Sequence, residues 1–291
     1  MLWKLRQNLG AALLLVVGCV VGAQAQQRPL LTEDVDIVPT GTVRIGMGID
    51  YLQGAKFPAS GLTGDLTRVG VVNINVGLAP NVSFEISGVL QNVLSINTRA
   101  RNPPIALNLD PTTNSANDTG DFSLATKIKL RKETKKGPSL GFKFGVELPN
   151  SNQTRGIGLN QTNAFGLILA GKKFGQDARF NLFGNLGLAI LTAPTKLFTQ
   201  NDILLYGVAG IYRVNPKINL VGEVNGRTST RKGDAPLGTE SLSQARLGMQ
   251  VKASGLRFDV AGAAGLTKQS PRSGIIFGVT YDTPNIFKPV Q

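Results

Sequence analysis

Among the ionisable residues of this chain, Lys127 and Lys143 have a spacing with chemical consequences. With a turn centred near Lys135 the two would face each other across a strand pair. Like charges so placed destabilise the pair unless water, an acid or an anion lies between them. Such a pair could hold or pass an anion, as charged rings do in pores, or be neutralised by Glu147 or another acidic side chain. Acid–base chemistry would need paired carboxylates instead. Glu147, Glu223 and Asp259 are the candidates, but no spacing ties them together. The chain has no histidine, which excludes Ser-His-Asp and Cys-His nucleophiles and histidine metal sites. Its one cysteine excludes an internal disulfide, a zinc cluster and an iron–sulfur centre. Asp110, Asn114, Asn117, Asp118 and Asp121 lack the Asp-x-Asp-x-Asp-Gly order of a calcium loop and read as a hydrated loop. The expectation is a protein without catalytic, cofactor-binding or metal-ligating residues, and not an enzyme.

The charge balance narrows the partners. Against 31 Lys and Arg stand 18 Asp and Glu, a net charge of +13 over 291 residues. This suits a polyanion, an anionic membrane surface or an anion-lined cavity. The basic residues are scattered with no interleaved aromatics, so nucleic acid is not expected. The first 25 residues read as a secretory signal. Lys4 and Arg6 precede the apolar run Leu9–Val21, and Ala23-Gln24-Ala25 offers a cleavage site. Val16-Val17-Gly18-Cys19 offers a competing reading, lipidation of Cys19. In both cases the chain is exported.

The mature chain must position its charges on strands, because apolar residues recur at every second place. Leu140, Phe142, Phe144, Val146 and Leu148 interleave with Gly141, Lys143, Gly145 and Glu147. Val72, Ile74, Val76 and Leu78 alternate with Asn73, Asn75 and Gly77. This period of two marks strands with unlike faces. Twelve segments follow, near 41–52, 67–78, 82–96, 121–131, 139–148, 160–171, 179–191, 203–214, 218–227, 241–253, 256–266 and 273–281. Most are ~10 residues or slightly longer, enough for a tilted strand to cross a bilayer.

Connections sort by length. Short turns at 79–81, 132–138, 172–178, 215–217 and 254–255 alternate with longer polar loops at 53–66, 97–120, 149–159, 192–202, 228–240 and 267–272. A soluble sandwich or lipocalin-like barrel also alternates, but would carry more than 17% charged residues and need not sort its loops. The pattern predicts an all-β fold: one transmembrane antiparallel up-and-down barrel of about twelve strands, with short turns and both termini on the periplasmic side. In lipid each backbone amide must pair within the protein, which requires closure. The expected division is a signal over 1–25, a periplasmic N-terminal segment over 26–39 and the outer-membrane barrel over 40–291. Tyr51, Phe122, Tyr206, Tyr212, Phe258 and Tyr281 are candidates for the interfacial aromatic girdles.

Phe144-Gly145-Val146-Glu147-Leu148-Pro149-Asn150 is followed by Gly156-Ile157-Gly158, the polar run 160–163 and the apolar stretch Phe165–Leu169. This sequence resembles the MetA-pathway phenol-degradation family of outer-membrane barrels, described as transporters. The layout is similar from about residue 40 to 281. The resemblance implies about twelve strands and passage of small, often hydrophobic, molecules, and carries over no catalytic residue. The C-terminus departs from the commonest outer-membrane pattern, since Lys288–Gln291 follow Tyr281 and Phe287.

Sorting charges by strand parity gives an inward face. The basic positions are Arg44, Lys127, Lys129, Arg131, Lys143, Lys172, Arg213, Arg227, Arg246, Lys252 and Arg257. The acidic ones are Asp50, Glu85, Glu147, Glu223 and Asp259. Lys127, Lys143, Glu147, Glu223, Arg227, Arg246 and Asp259 are the lumen-lining candidates. Twelve strands lie between the filled eight-stranded and the open sixteen-stranded barrels, so a narrow, net-basic path is expected. The reading is passive diffusion of small anionic or hydrophobic solutes across the outer membrane. The alternative is a non-conducting structural or adhesive barrel that binds through its outer loops. Partners would be outer-membrane lipid, the solutes and the barrel-assembly machinery of a Gram-negative-type envelope.

Overall fold

The computed structural model describes residues 28–110, 112–195 and 199–287. The signal over 1–25, Cys19 and Lys288–Gln291 lie outside the described residues. Thirteen strands follow in order: β1 Val43–Phe57, β2 Leu62–Ala79, β3 Val82–Arg99, β4 Ser115–Asp118, β5 Phe122–Arg131, β6 Ser139–Leu148 and β7 Asn163–Phe174. Then come β8 Phe180–Thr192, β9 Gln200–Arg213, β10 Ile218–Ser229, β11 Leu242–Ala253, β12 Leu256–Gly265 and β13 Ser273–Asp282.

Neighbours along the chain pair antiparallel, and β1 pairs with β13 from Arg44↔Asp282 to Gln53↔Ser273. The sheet therefore closes and leaves no open edge, as a bilayer demands. β4 and β5 both pair with β3, Ser115–Asp118 against Asn92–Ser95 and Ser123–Ile128 against Val82–Ser87. They are two parts of one interrupted strand, so the barrel has twelve strand positions. The chain approaches β1 and leaves β13 at the short-turn end, where Gly41 N–H donates to Gly77 and Thr283 N–H donates to Val43.

Most of the expected segments coincide with strands to within a few residues, but 53–66 is a correction. β1 runs on to Phe57 and β2 begins at Leu62, so this connection is a tight turn on a protruding hairpin. The polar residues there read as loop because a strand that has left the membrane needs no apolar face. Register shifts accompany Gly54 and Gly70, whose φ values are +63° and +65°. Both are bulges in the left-handed region that glycine enters without steric cost.

The two faces of the wall differ as a membrane barrel requires. Met47, Ile49, Phe144, Ile168, Leu188, Val208, Leu220, Leu247 and Phe277 are exposed on the outside. Asn73, Asn75, Glu85, Lys127, Asn181, Glu223, Gln250 and Asp259 are buried inside. The protein is an outer-membrane β-barrel. Between the long loops and the wall, Leu52, Leu62, Leu66, Leu94, Ile96 and Ile157 form an apolar cluster, with Leu107 and Leu109 packed against it. The loops after β3 and β6 thus fold in over the barrel mouth.

Candidate functional site: the lumen and the segment inside it

Residues 28–39 do not lie outside the barrel on the periplasmic side; they run through its lumen. This corrects the placement expected for 26–39. The wall supplies partners along the length of this stretch. Gln250 Nε2 donates to the Arg28 carbonyl (2.6 Å) and Arg246 Nη1 to the Pro29 carbonyl (2.6 Å). Glu223 accepts from the N–H groups of Leu31 and Thr32, both at 2.8 Å. Asn185 accepts from Glu33 N–H and donates to the Glu33 carbonyl. Such a strand without sheet neighbours can be buried only because side chains satisfy its backbone. The glycines of the inner face have a use here. A side chain at Gly207 would meet Thr32, and one at Gly77 would meet the carbonyls of Val38 and Pro39.

Side chains of the segment complete the fit. Leu30 packs among Phe183, Ala209, Ile211 and Val221. Arg28 Nη2 lies 3.0 Å from Asp50. Asp36 bridges Lys129 and Lys173, each at 2.7 Å. Lys127 and Lys143 are cross-strand partners, as the turn position predicts. Between them lie two carboxylates. Lys127 Nζ is 3.3 Å from Glu33 and 3.1 Å from Glu85, while Lys143 pairs with the same two acids. Of the two readings of this lysine pair, neutralisation by an acid is the one seen, and the acids are Glu85 on β3 and Glu33 from the segment rather than Glu147.

The other candidates are dispersed. Glu147 accepts from Asn163 near the outer end of β6 (2.8 Å). Arg246 and Glu223 are cross-strand partners 3.7 Å apart. Asp259 pairs with Arg257 at 2.9 Å. Arg227 donates through Nε to the Glu240 carbonyl and through Nη2 to that of Gly238. In the outer loops, the N–H and hydroxyl of Thr112 hold Asp110 below the usual carboxylate range. Asp118 and Asp121 accept from the N–H groups of Asn150, Ser151 and Asn152, tying the interrupted strand to the next loop.

Three cavities succeed one another along the barrel. Beneath the outer loops one of about 180 Å³ is bounded by Pro58, Ile105, Gln153, Leu159, Arg227 and Glu240. Arg227 also borders the next, about 400 Å³, which has Leu31 as part of its floor and Leu52, Leu167, Leu205, Leu242, Arg68 and Arg246 around it. Below the segment, at the short-turn end, a third of about 380 Å³ is lined by Asp36, Lys129, Lys173, Arg179 and Arg213. Residues 28–36 separate the second from the third.

Over residues 27–281 the sequence matches the family described as "Putative MetA-pathway of phenol degradation". The chain belongs to this family. Among solved structures, the COG4313 outer membrane channel from Pseudomonas putida F1 is similar at 13% identity and a TM-score of 0.64, over 86% of this chain and 98% of that one. The NanC porin is similar at 7% identity and a TM-score of 0.50, over 82% and 98% of the two chains. These likenesses establish a shared barrel fold. No protein of curated function matches the sequence.

In this member of the MetA family, parity sorting misses some inward charges. Lys172 reaches the carbonyls of Thr134 and Lys135 in a short turn, and its neighbour Lys173 is the one that meets Asp36. Glu33, Asp34 and Asp36, which meet Lys127, Lys143, Asn181, Lys129 and Lys173, lie ahead of every strand. Their signal is present in the sequence: three acids in a short exported stretch, ahead of a wall whose inward parity is mostly basic.

Proposed function

We propose that the protein is an outer-membrane channel for small solutes, with residues 28–39 as the closure of its lumen. The observation carrying this reading is the row of cavities, interrupted by one segment that belongs to no strand. A purely structural barrel would gain nothing from hollow space on both sides of a removable stretch. Membership of the family and the likeness to a channel from Pseudomonas putida support the reading. Passage is passive: the lumen sorts by width and charge and performs no chemistry. The basic lower vestibule, with Lys129, Lys173, Arg179 and Arg213 against Asp36, favours anionic solutes once the segment is displaced. Outer-membrane lipid, the solute and the barrel-assembly machinery are its partners on this account.

Conductance in planar bilayers tests the proposal. The mature protein should show small, intermittent currents, and a variant lacking residues 26–39 should show larger, steady ones with anion preference. If neither passes current while both assemble as barrels, the lumen is not a path, and the non-conducting structural or adhesive barrel becomes the better account.

A further inference from the structure

We propose that the 400 Å³ cavity above the segment is a binding site for a small carboxylate with an apolar body, and that Arg227 takes the carboxylate. The inference deepens the channel reading and rests on it for the ligand's route, though binding itself is measured independently.

The cationic side chains around the cavity are not equivalent. Arg68 faces Asp50 at 3.5 Å, an acid it shares with Arg28, and Arg246 faces Glu223 at 3.7 Å, so each is already engaged with a carboxylate. Arg227 makes no ion pair within 4 Å among the described residues. Its bonds go to two carbonyl oxygens, through Nε and Nη2. The acids nearest to it in charge terms, Glu240 and Glu147, accept from Gly238 N–H and Asn163 Nδ2. Arg227 Nη1 has no hydrogen-bond partner among the described residues. The end of the guanidinium formed by Nη1 and the second Nη2 hydrogen is left for a ligand, and that fork matches the two oxygens of a carboxylate.

Position strengthens the case. Arg227 borders both the outer cavity and the larger one, so a solute arriving from the loops meets it on the way in. Beyond it Leu52, Leu167, Leu205 and Leu242 share the walls with Asn185, Asn225 and Gln244. Leu31 is the telling one: within 28–35 it alone is exposed, at 46%, and it forms part of this cavity's floor. An apolar side chain facing a water-filled hollow costs hydration free energy, which an apolar ligand body would relieve. The volume falls in the range of small-molecule sites, and a guanidinium without an ion pair of its own, beside a hollow with four leucines in its walls, suits a monoanion with a hydrocarbon or aromatic portion.

Equilibrium dialysis of the mature protein in detergent, with empty micelles as the blank, decides the matter. Benzoate is the probe and benzyl alcohol its uncharged counterpart. Benzoate should bind saturably at one per barrel, and benzyl alcohol at least about tenfold more weakly, the loss of a charge-assisted contact. Arg227→Met should weaken benzoate by a similar factor, with Arg227→Lys restoring part of it. Because Arg227 also ties down Gly238 and Glu240, a second variant separates recognition from loop support. Leu167→Trp fills the cavity from β7, a strand that does not pair with the one carrying Arg227, and should abolish benzoate binding. No benzoate binding by wild type, equal binding of both probes, or undiminished binding by Arg227→Met or Leu167→Trp would each overturn the proposal. Such a result leaves the conductance reading standing, whereas a silent bilayer with benzoate bound sinks only the channel.

Discussion

Lys127 Nζ lies 3.3 Å from Glu33 Oε2, joining a barrel strand to a residue that precedes every strand. Both side chains are buried, and Lys143 and Glu85 complete a compact group of two cations and two anions. Removing one member of a buried group leaves an uncompensated charge, which is more costly than the pair is favourable.

Glu33→Gln should therefore unseat the segment without unfolding the barrel, at a cost on the order of 3 kcal/mol. A cysteine placed at Thr32, which is buried in the intact lumen, would report this through its reaction rate with a polar maleimide. The rate should rise several-fold in the Glu33→Gln background, and mean conductance should rise with it. An unchanged rate would mean that the backbone bonds hold the segment alone.

Changing Lys127 and Lys143 together to Glu would set four carboxylates against one another. The expected outcome is expulsion of residues 28–39 and a higher open probability, beyond a simple change of ion selectivity. Reversal potentials and open-time histograms distinguish the two. A shift in selectivity with unaltered open time would count against the segment as the closure.

Leu30→Asp addresses the apolar anchor. It places a carboxylate among Phe183, Ala209, Ile211 and Val221, where a charge has no partner. Proteolysis of folded protein should then remove the N-terminal residues faster than in wild type, with the barrel core intact on a gel.

The orientation of the faces predicts an asymmetry between wall substitutions. Phe277 is 54% exposed on the outside, and Phe277→Arg should cost roughly 2–4 kcal/mol if it sits near the bilayer midplane. Gln244→Arg, at the larger cavity, should cost much less. Urea midpoints in lipid vesicles measure both. Tags at Asn114 or Gly233 should be reachable on intact cells, and a tag at Pro216 only after the outer membrane is opened.

The barrel was legible because lipid makes one demand at every second residue. Phe142, Phe144 and Val146 had to be apolar, which left Gly141, Lys143 and Gly145 to the other side. The rule weakens where lipid ends, and so β1 and β2 beyond Leu52 and before Thr67 read as loop. It also fails across a bulge. Counting back from Asn75 and Asn73 puts Arg68 outside, but the extra residue at Gly70 returns it to the cavity. The segment's place was legible only as three acids ahead of a mostly basic wall, for a different reason. Its partners come from strands spread over the whole chain, and no local pattern in 26–39 names them. Lys127 and Lys143 could be placed opposite each other from their turn, but not the acid between them.

The site occupied by residues 28–39 is assembled from β1, β2 and the strands from β5 to β12. The segment precedes all of them in the chain, yet its full set of partners exists only once the last strand has joined the first. Its docking must therefore be a terminal event in biogenesis, with long-range contacts forming after the sheet has closed. During assembly the lumen is briefly unfilled, and a chain whose β1–β13 seam fails to form never brings together the partners of Arg28, which come from β1 and β2 on one side of the seam and from β11 and β12 on the other. The first stretch to leave the cytoplasm is thus the last to find its place, and its burial records that the ring behind it is complete.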